Sequence, residues 1–302
     1  MRLTASDIVS LYRPTLCGNR VFLRQRGEPE GEPSAFDELL KRLGERHEKQ
    51  HLELLGAYED LSIFPTEERI AKTVTAINRK IAVLYQPAFR AAANLAGTDV
   101  EIVGMPDFLL FDGDNYVIRD SKLSRRIDEK NHREIQLQLQ LYGWLYETSV
   151  RQAPKRLEVH NGKNEIVVIP YDGGKQALAT LENVFRLKQL KEEEYEPVGW
   201  SKCLSCGYKK HCWEKAETSH DVATVNGVDQ SLARTLHDGG VRSRAELLAA
   251  YDSATLSELK RPQGKTLRKV GIPAEKILQL VGIPVKVNAD SGGKPNGIPE
   301  RR

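Results

Sequence analysis

The sequence is poor in cysteine, in methionine and in long apolar runs, and each shortage excludes a class of protein. Four cysteines in 302 residues are too few for a disulfide-stapled secreted scaffold. No apolar run approaches the roughly 20 residues that a membrane-spanning helix needs. The opening "MRLTASDIVSLYRPTLCG" lacks the apolar core of a signal peptide, so the expected location is the cytoplasm. Charge of one sign is also scarce: 45 Lys and Arg stand against 42 Asp and Glu, a net charge of +3. Any binding of nucleic acid must therefore come from local patches rather than a bulk polycation. No Gly-rich phosphate loop of the Walker type occurs, so no nucleotide-driven motor is read here. What remains is ordinary globular composition, 40% hydrophobic and 29% charged, in a chain long enough for about two domains.

The few cysteines are placed unevenly. Cys17 stands alone, and Cys203, Cys206 and Cys212 cluster in "CLSCGYKKHCW". In a cytoplasmic chain such clustering reads as a metal site, and four thiolates are the full ligand set of one iron-sulfur cluster or one structural zinc. Structural zinc sites usually use two spaced pairs, whereas one plus three favours a [4Fe-4S] cluster. Zinc, with His211 available, and unrelated thiols are the alternatives.

The stretch "GMPDFLLFDGDNYVIRDSKL", residues 104–123, reads as a β-hairpin, since Gly and Asn at its centre accept positive φ cheaply. A symmetric hairpin about Gly113 and Asp114 pairs Phe111 with Tyr116, Leu109 with Ile118, and Asp107 with Asp120. Opposed residues have Cβ atoms roughly 4.5–5.5 Å apart, and like charges there are destabilising. Something positive is needed between them. Lys122 points to the same face as Asp120 because side chains alternate along a strand. The plain alternative is a solvated hairpin end.

Elsewhere the periodicities predict helices over residues 4–13, 35–59 and 67–80, a short strand in "KIAVLYQPAF", and a helix from Arg133 to Thr148. In the second helix Phe36, Leu39, Leu40 and Leu43 space as one buried stripe, with His47 a turn further along that face. "IQLQLQLY" alternates as a strand would, but its continuation "GWLYE" favours helix. A second hairpin is expected around Asn161-Gly162, then a long amphipathic helix leading to the cysteines. From about residue 219, short helices separated by apolar-Gly-apolar turns at Gly227 and Gly271 suit a module presenting backbone N–H groups to DNA phosphates. A helical bundle with Gly caps suits them as well. The Gly/Pro-rich end reads as a disordered tail.

Taken in order, His47 in "GERHE", Asp107 in "GMPD", Asp120 and Lys122 in "DSK", Gln138 and Tyr142 in "QLQLY", and the one-plus-three cysteines resemble the RecB-like branch of the PD-(D/E)XK nuclease superfamily. The resemblance is to its iron-sulfur members, among them the CRISPR-associated exonucleases and the AddB and Dna2 nuclease domains, and it covers residues 1–217. It implies an α/β fold, a restriction-endonuclease-like mixed sheet flanked by helices. A small helical, helix-hairpin-helix-like domain would follow at 218–285 and a disordered tail at 286–302. By the same resemblance His47, Asp107 and Asp120 would bind Mg²⁺ or Mn²⁺, and Lys122 would orient or deprotonate the attacking water, its pKa lowered by the cation. Gln138 and Tyr142, with Arg125 and Arg126, would hold nucleic acid, and Cys17, Cys203, Cys206 and Cys212 would bind the [4Fe-4S] cluster. His51 is the alternative to His47, and Gln136 and Gln140 leave the register of the glutamine-tyrosine signature open. "LCGNRVFL" lacks the proline that usually follows the family's first cysteine. The implied activity is that of a metal-dependent DNA nuclease, an exonuclease on single-stranded ends in repair, recombination or CRISPR-type processing, with a helicase or other repair-complex partner. A catalytically silent DNA-binding or iron-sulfur scaffold module is the alternative.

Overall fold

A computed structural model describes residues 1–250 except Glu129, together with the backbone of 260–263 and 266–269. Its contacts divide the chain into two units, Met1–Glu196 with Ser205–Tyr208, and Pro197–Leu204 with the residues from Lys209 onward.

In the first unit β1 (Arg2–Thr4) runs directly into α1 (Ala5–Tyr12). The Thr4 N–H donates to Asp7 Oδ2 at 2.7 Å, which satisfies one of the groups exposed where a helix begins. Next comes α2 (Gly18–Arg26), with Cys17 at its N-cap, and α3 (Ala35–Leu54), capped reciprocally by Ser34 and Asp37. After β2 (Glu59–Asp60), α4 (Thr66–Asn78) and β3 (Val83–Tyr85) the chain makes two hairpins, β4 (Phe89–Leu95) with β5 (Thr98–Gly104) and β6 (Phe108–Asp112) with β7 (Asn115–Ser121). The long α5 (Arg133–Val150) leads to β8 (Arg156–His160), β9 (Ile166–Ile169) and α6 (Lys175–Gln189).

The strands form a six-stranded mixed sheet, β2-β3-β6-β7-β8-β9, and a three-stranded one, β1-β5-β4. β7 and β8 are parallel, so the chain must cross over between them, and α5 is that crossover. The expected hairpin register is observed: Phe111 opposes Tyr116 and Leu109 opposes Ile118. Leu109, Ile118, Leu157 and Val159 share one face of the sheet and are all fully buried, as a core-facing sheet face requires.

The strand-like alternation in α5 has a physical cause. Leu137, Leu139, Leu141, Tyr142, Leu145 and Tyr146 are all buried, because the helix packs on β4 and β5 and also meets α1 and α6. A helix covered on several sides cannot show one clean apolar stripe. Its approach to β5 depends on Gly104, where a Cβ would stand 2.5 Å from Leu145 Cδ1 and 2.9 Å from Tyr142 Cδ1.

Some expectations fail. Phe36, Leu39, Leu40 and Leu43 are not buried but 42–65% exposed. Only His47, His51 and Leu52 of α3 are buried, so its C-terminal half anchors the helix while its first three turns stand in solvent. The β4–β5 hairpin, β1 and α2 were not anticipated.

In the second unit α7 (Lys209–Thr218), a 3₁₀ turn (Val222–Thr224), α8 (Gln230–Asp238) and α9 (Arg244–Ala250) enclose Val222, Val225, Val228, Leu232, Leu236 and Leu247. Gly227 takes a left-handed φ of 94°, and Asp229 caps α8 by accepting the Leu232 N–H at 2.9 Å. Where helix was expected, β10 (Lys260–Gln263) and β11 (Thr266–Lys269) pair antiparallel. The Gly271 turn and the expected tail at 286–302 lie outside the described residues.

The tight seat of α5 on β5 gives a direct stability test. Gly104→Ala is expected to cost about 1–3 kcal/mol, since Leu145 and Tyr142 are buried and cannot swing away. Denaturant unfolding of the two proteins side by side measures it.

Candidate active site

The carboxylates sit where the hairpin leaves the sheet. Asp107 immediately precedes β6, one step beyond the Phe108–Arg119 pair, and therefore opposite Asp120. The two like charges are separated by reciprocal backbone bonds: the Asp107 N–H donates to Asp120 Oδ1 at 2.9 Å, and the Ser121 N–H donates to Asp107 Oδ2 at 2.8 Å. Each carboxylate is thus clamped by the other's strand. Lys122 Nζ donates to Asp120 Oδ2 at 2.7 Å. Its own N–H donates to the His160 carbonyl at 2.9 Å, which prolongs the β7–β8 ladder past its last strand residue. The loop after β8 closes in the same way, with the Gly162 N–H on the Ser124 carbonyl. A Cβ at Gly162 would lie 2.1 Å from the Leu123 carbonyl oxygen, so glycine is what lets this backbone run beside the lysine.

Burial raises Asp107 well above the usual carboxylate range, and the neighbouring Asp120 raises it further, against the opposing pull of Lys122. For Lys122, burial alone would lower the pKa, but Asp120 and Asp107 outweigh it and the net shift is upward. Tyr142 is raised above the ordinary phenol value by burial, then by Asp120 and Asp107, so its hydroxyl keeps its proton and accepts the Gln138 Nε2–H at 2.8 Å. Of the possible helix registers, it is Gln138 and Tyr142 that bond to each other beside the acids. Gln136 and Gln140 instead line a surface pocket with Arg133, Pro170 and Gln176.

His47 lies beside β8, its Nε2 3.4 Å from the His160 carbonyl oxygen that also accepts the Lys122 N–H. Its ring stacks on His160 at 4.6 Å, and His160 stacks on His51 at 3.8 Å. Burial lowers His51 to about 3, helped by His160, Arg119 and His47, and lowers His160 to about 4, helped by His47 and Arg119. Both are neutral packing partners near pH 7. The helix residue that reaches the acids is Glu48, one position further and about 100° around α3. Its Oε1 accepts the Tyr85 hydroxyl and the Gln86 Nε2–H, each at 2.9 Å, and its charge acts on both Asp107 and Lys122. Sequence reasoning passed over Glu48, although "GERHE" contains it. Arg125 and Arg126 lie exposed on the loop after Lys122.

None of the four cysteines is in a disulfide, and all are half-buried. Cys17 and Cys206 belong to the first unit and Cys203 and Cys212 to the second. The Cys17 thiol is pushed up to about 11 by burial, then by Glu196, with Cys206 adding to the effect. Cys203 Sγ accepts the Gly199 N–H at 3.2 Å. Among the described residues no three His, Cys, Asp or Glu side chains converge closely enough to hold a metal ion. Mg²⁺ does not require three, since it keeps several waters and takes one or two carboxylates plus substrate phosphate. Asp107 and Asp120 supply that pair. With Glu48 nearby and Lys122 bonded to Asp120, the acids outnumber the positive charge, and the upward shift of Asp107 comes first from burial and then from Asp120 beside it. The residues fit a hard divalent cation.

A sign follows for the cation-free protein. A carboxyl whose folded pKa lies above its unfolded value contributes its full stability below the unfolded pKa, and that contribution is lost as pH rises through the folded pKa. Asp107→Asn, which keeps the shape and removes the charge, is therefore expected to melt higher than wild type in EDTA, with the gap widening from pH 4 to pH 7. Thermal melts across that range check it, and added Mg²⁺ should raise the wild type selectively.

The family model for the PD-(D/E)XK nuclease superfamily matches residues 13–213. Among solved structures, one titled "Crystal structure of SSO0001" is 18% identical over 71% of this chain and 86% of that chain, with a TM-score of 0.41. No curated protein matches significantly. The family match spans well over half of the chain and includes the interlocked Asp107, Asp120 and Lys122, so the chain belongs to the PD-(D/E)XK nuclease superfamily.

Proposed function

We propose that this protein is a divalent-cation-dependent nuclease that hydrolyses phosphodiester bonds in DNA, working as an exonuclease on single-stranded ends. The observation that carries the reading is the clamp at the sheet's end, where Asp107 and Asp120 are held by each other's backbone and Lys122 is ion-paired to the second. Asp107 and Asp120 would hold the cation, with Glu48 close by. When bound, Mg²⁺ or Mn²⁺ supplies Lewis-acid polarisation of the phosphoryl oxygens and a more acidic water. Lys122 would orient the attacking water or help deprotonate it, and would offset phosphate charge. Tyr142 is buried and keeps its proton, so contact with the strand from this pair falls to Gln138. Arg125 and Arg126, exposed beyond Lys122, take backbone phosphates.

The reading extends to the cysteines and to the second unit. Cys17, Cys203, Cys206 and Cys212 are proposed to ligate a [4Fe-4S] cluster. Support comes from the Cys17–Cys206 electrostatic coupling and from the N–H donor on Cys203, since hydrogen bonds to sulfur tune such clusters. The left-handed Gly227 before α8 supports a helix-hairpin-helix-like phosphate contact. Work alongside a helicase or other repair-complex partner in the cytoplasm belongs to the same proposal.

Incubation with labelled single- and double-stranded DNA and Mg²⁺ or Mn²⁺ tests the activity. Asp107→Ala and Lys122→Ala are expected to lose roughly 10²-fold or more in rate, the scale seen when one electrostatic contact to the reacting centre is removed. Equal cleavage by wild type and both variants would refute the assignment, and DNA binding without cleavage by the wild type would favour the silent-scaffold reading. Separately, Cys206→Ala should give a colourless protein that melts lower, because metal-binding energy is folding energy. A brown chromophore with unchanged melting would rule the cluster out.

A further inference from the structure

Gln86 immediately follows β3 and continues its pairing with β6, its N–H donating to the Asp107 carbonyl at 2.7 Å. Gln86, Asp107 and Asp120 therefore form one row across the end of three strands. Its backbone is left-handed, with φ 53°, a conformation that strains a residue with a Cβ and persists where the surroundings demand it. The conformation delivers the side-chain amide to the acids. Gln86 Nε2 lies 2.9 Å from Glu48 Oε1 and 3.3 Å from Asp107 Oδ1.

An NH₂ group has two hydrogens, one for each carboxylate. The other donors on these acids each reach one of them: the Tyr85 hydroxyl reaches Glu48, the Ser121 N–H reaches Asp107, and Lys122 reaches Asp120. The amide is also neutral. An ammonium in its place would satisfy both acids but cancel the negative potential that attracts a cation, and a carboxylate would offer no donor and add a further charge.

We propose that Gln86 is a positioning residue for the cation site, its amide bridging the Glu48 and Asp107 carboxylates so that Asp107 is held in place to take one divalent ion with Asp120. This rests on the nuclease reading for its place in the reaction, but the binding itself is read without DNA. Removing the amide leaves two like charges with nothing to span them, and outer-shell partners of metal ligands typically control affinity by 10–100-fold.

The test is Mn²⁺ binding to the full chain in the absence of nucleic acid, followed by the electron paramagnetic resonance signal of free Mn²⁺. Gln86→Met keeps the length and volume without donors, and Gln86→Gly relieves the left-handed backbone. Both are expected to bind Mn²⁺ about 10–100-fold more weakly, while Gln86→Gly in EDTA melts within a few degrees of wild type. Affinity within twofold of wild type in both variants would overturn the proposal. A wild type that binds no Mn²⁺ removes the cation site and the nuclease reading with it. A wild type that binds Mn²⁺ but cuts no DNA, beside weakened variants, removes the nuclease reading and leaves the role of Gln86 standing.

Discussion

Two opposed carboxylates, Asp120 buried and Asp107 half-buried, each hydrogen-bonded to the other strand's backbone, are the constraint on which the rest of the first unit depends. Directly opposed aspartates destabilise a strand pair, so the arrangement survives only if neighbouring elements hold it. The turn at Gly113, with φ 77°, sets the register that opposes them. The parallel neighbour β8 takes the Lys122 N–H and so fixes the strand that carries the ammonium. α5, seated close on Gly104, brings Tyr142 against the acids from the other side. A one-residue slip of the hairpin would turn Asp107 away from Asp120 and leave each carboxylate without its clamp.

How much of this was legible depended on the range of the interactions. The hairpin, its register and the Asp107–Asp120 opposition follow from turn chemistry and the two-residue period of a strand, both local rules, and all were readable. The helices capped by Thr4 and Ser34 were readable for the same reason. The β4–β5 hairpin was not, because "AAANLAGT" offers alanines of low strand propensity, and its pairing is completed by β1, nearly 100 residues earlier in the chain. That the sheet is mixed and flanked by helices was legible only through resemblance to a family, and the order of its strands was not legible at all, because it depends on pairings between segments far apart in the chain.

α3 shows where periodicity misleads. Phe36, Leu39, Leu40 and Leu43 have the spacing of a core stripe, yet only the end of the helix around His47, His51 and Leu52 meets the sheet. Spacing states which residues share a face, and says nothing about whether that face has a neighbour. The same limit explains Glu48. The motif pointed to the histidine, but the buried face of α3 is occupied by the stack of His47, His160 and His51. The residue about 100° around the helix is then the one that comes to the edge of that face, where Tyr85 and Gln86 meet it.

Charge balance links stability to the chemistry. Glu48, Asp107 and Asp120 act on one ammonium, and that shortfall in positive charge adds to burial, the larger cause, in raising Asp107. A proton can make up that shortfall, and so can a divalent cation, which makes the two competitors for one position. At low pH the proton wins and the fold is satisfied without a ligand. As pH rises, the charge that the cation needs and the repulsion that strains the hairpin increase together. Affinity for the ion and the cost of its absence therefore have one source, and an acid pair that would be a fault in a structural sheet is tolerated at this sheet's end because Gln86, Ser121 and Lys122 each meet part of its charge. None of the three meets all of it, and that residual charge is what a hard cation would bind.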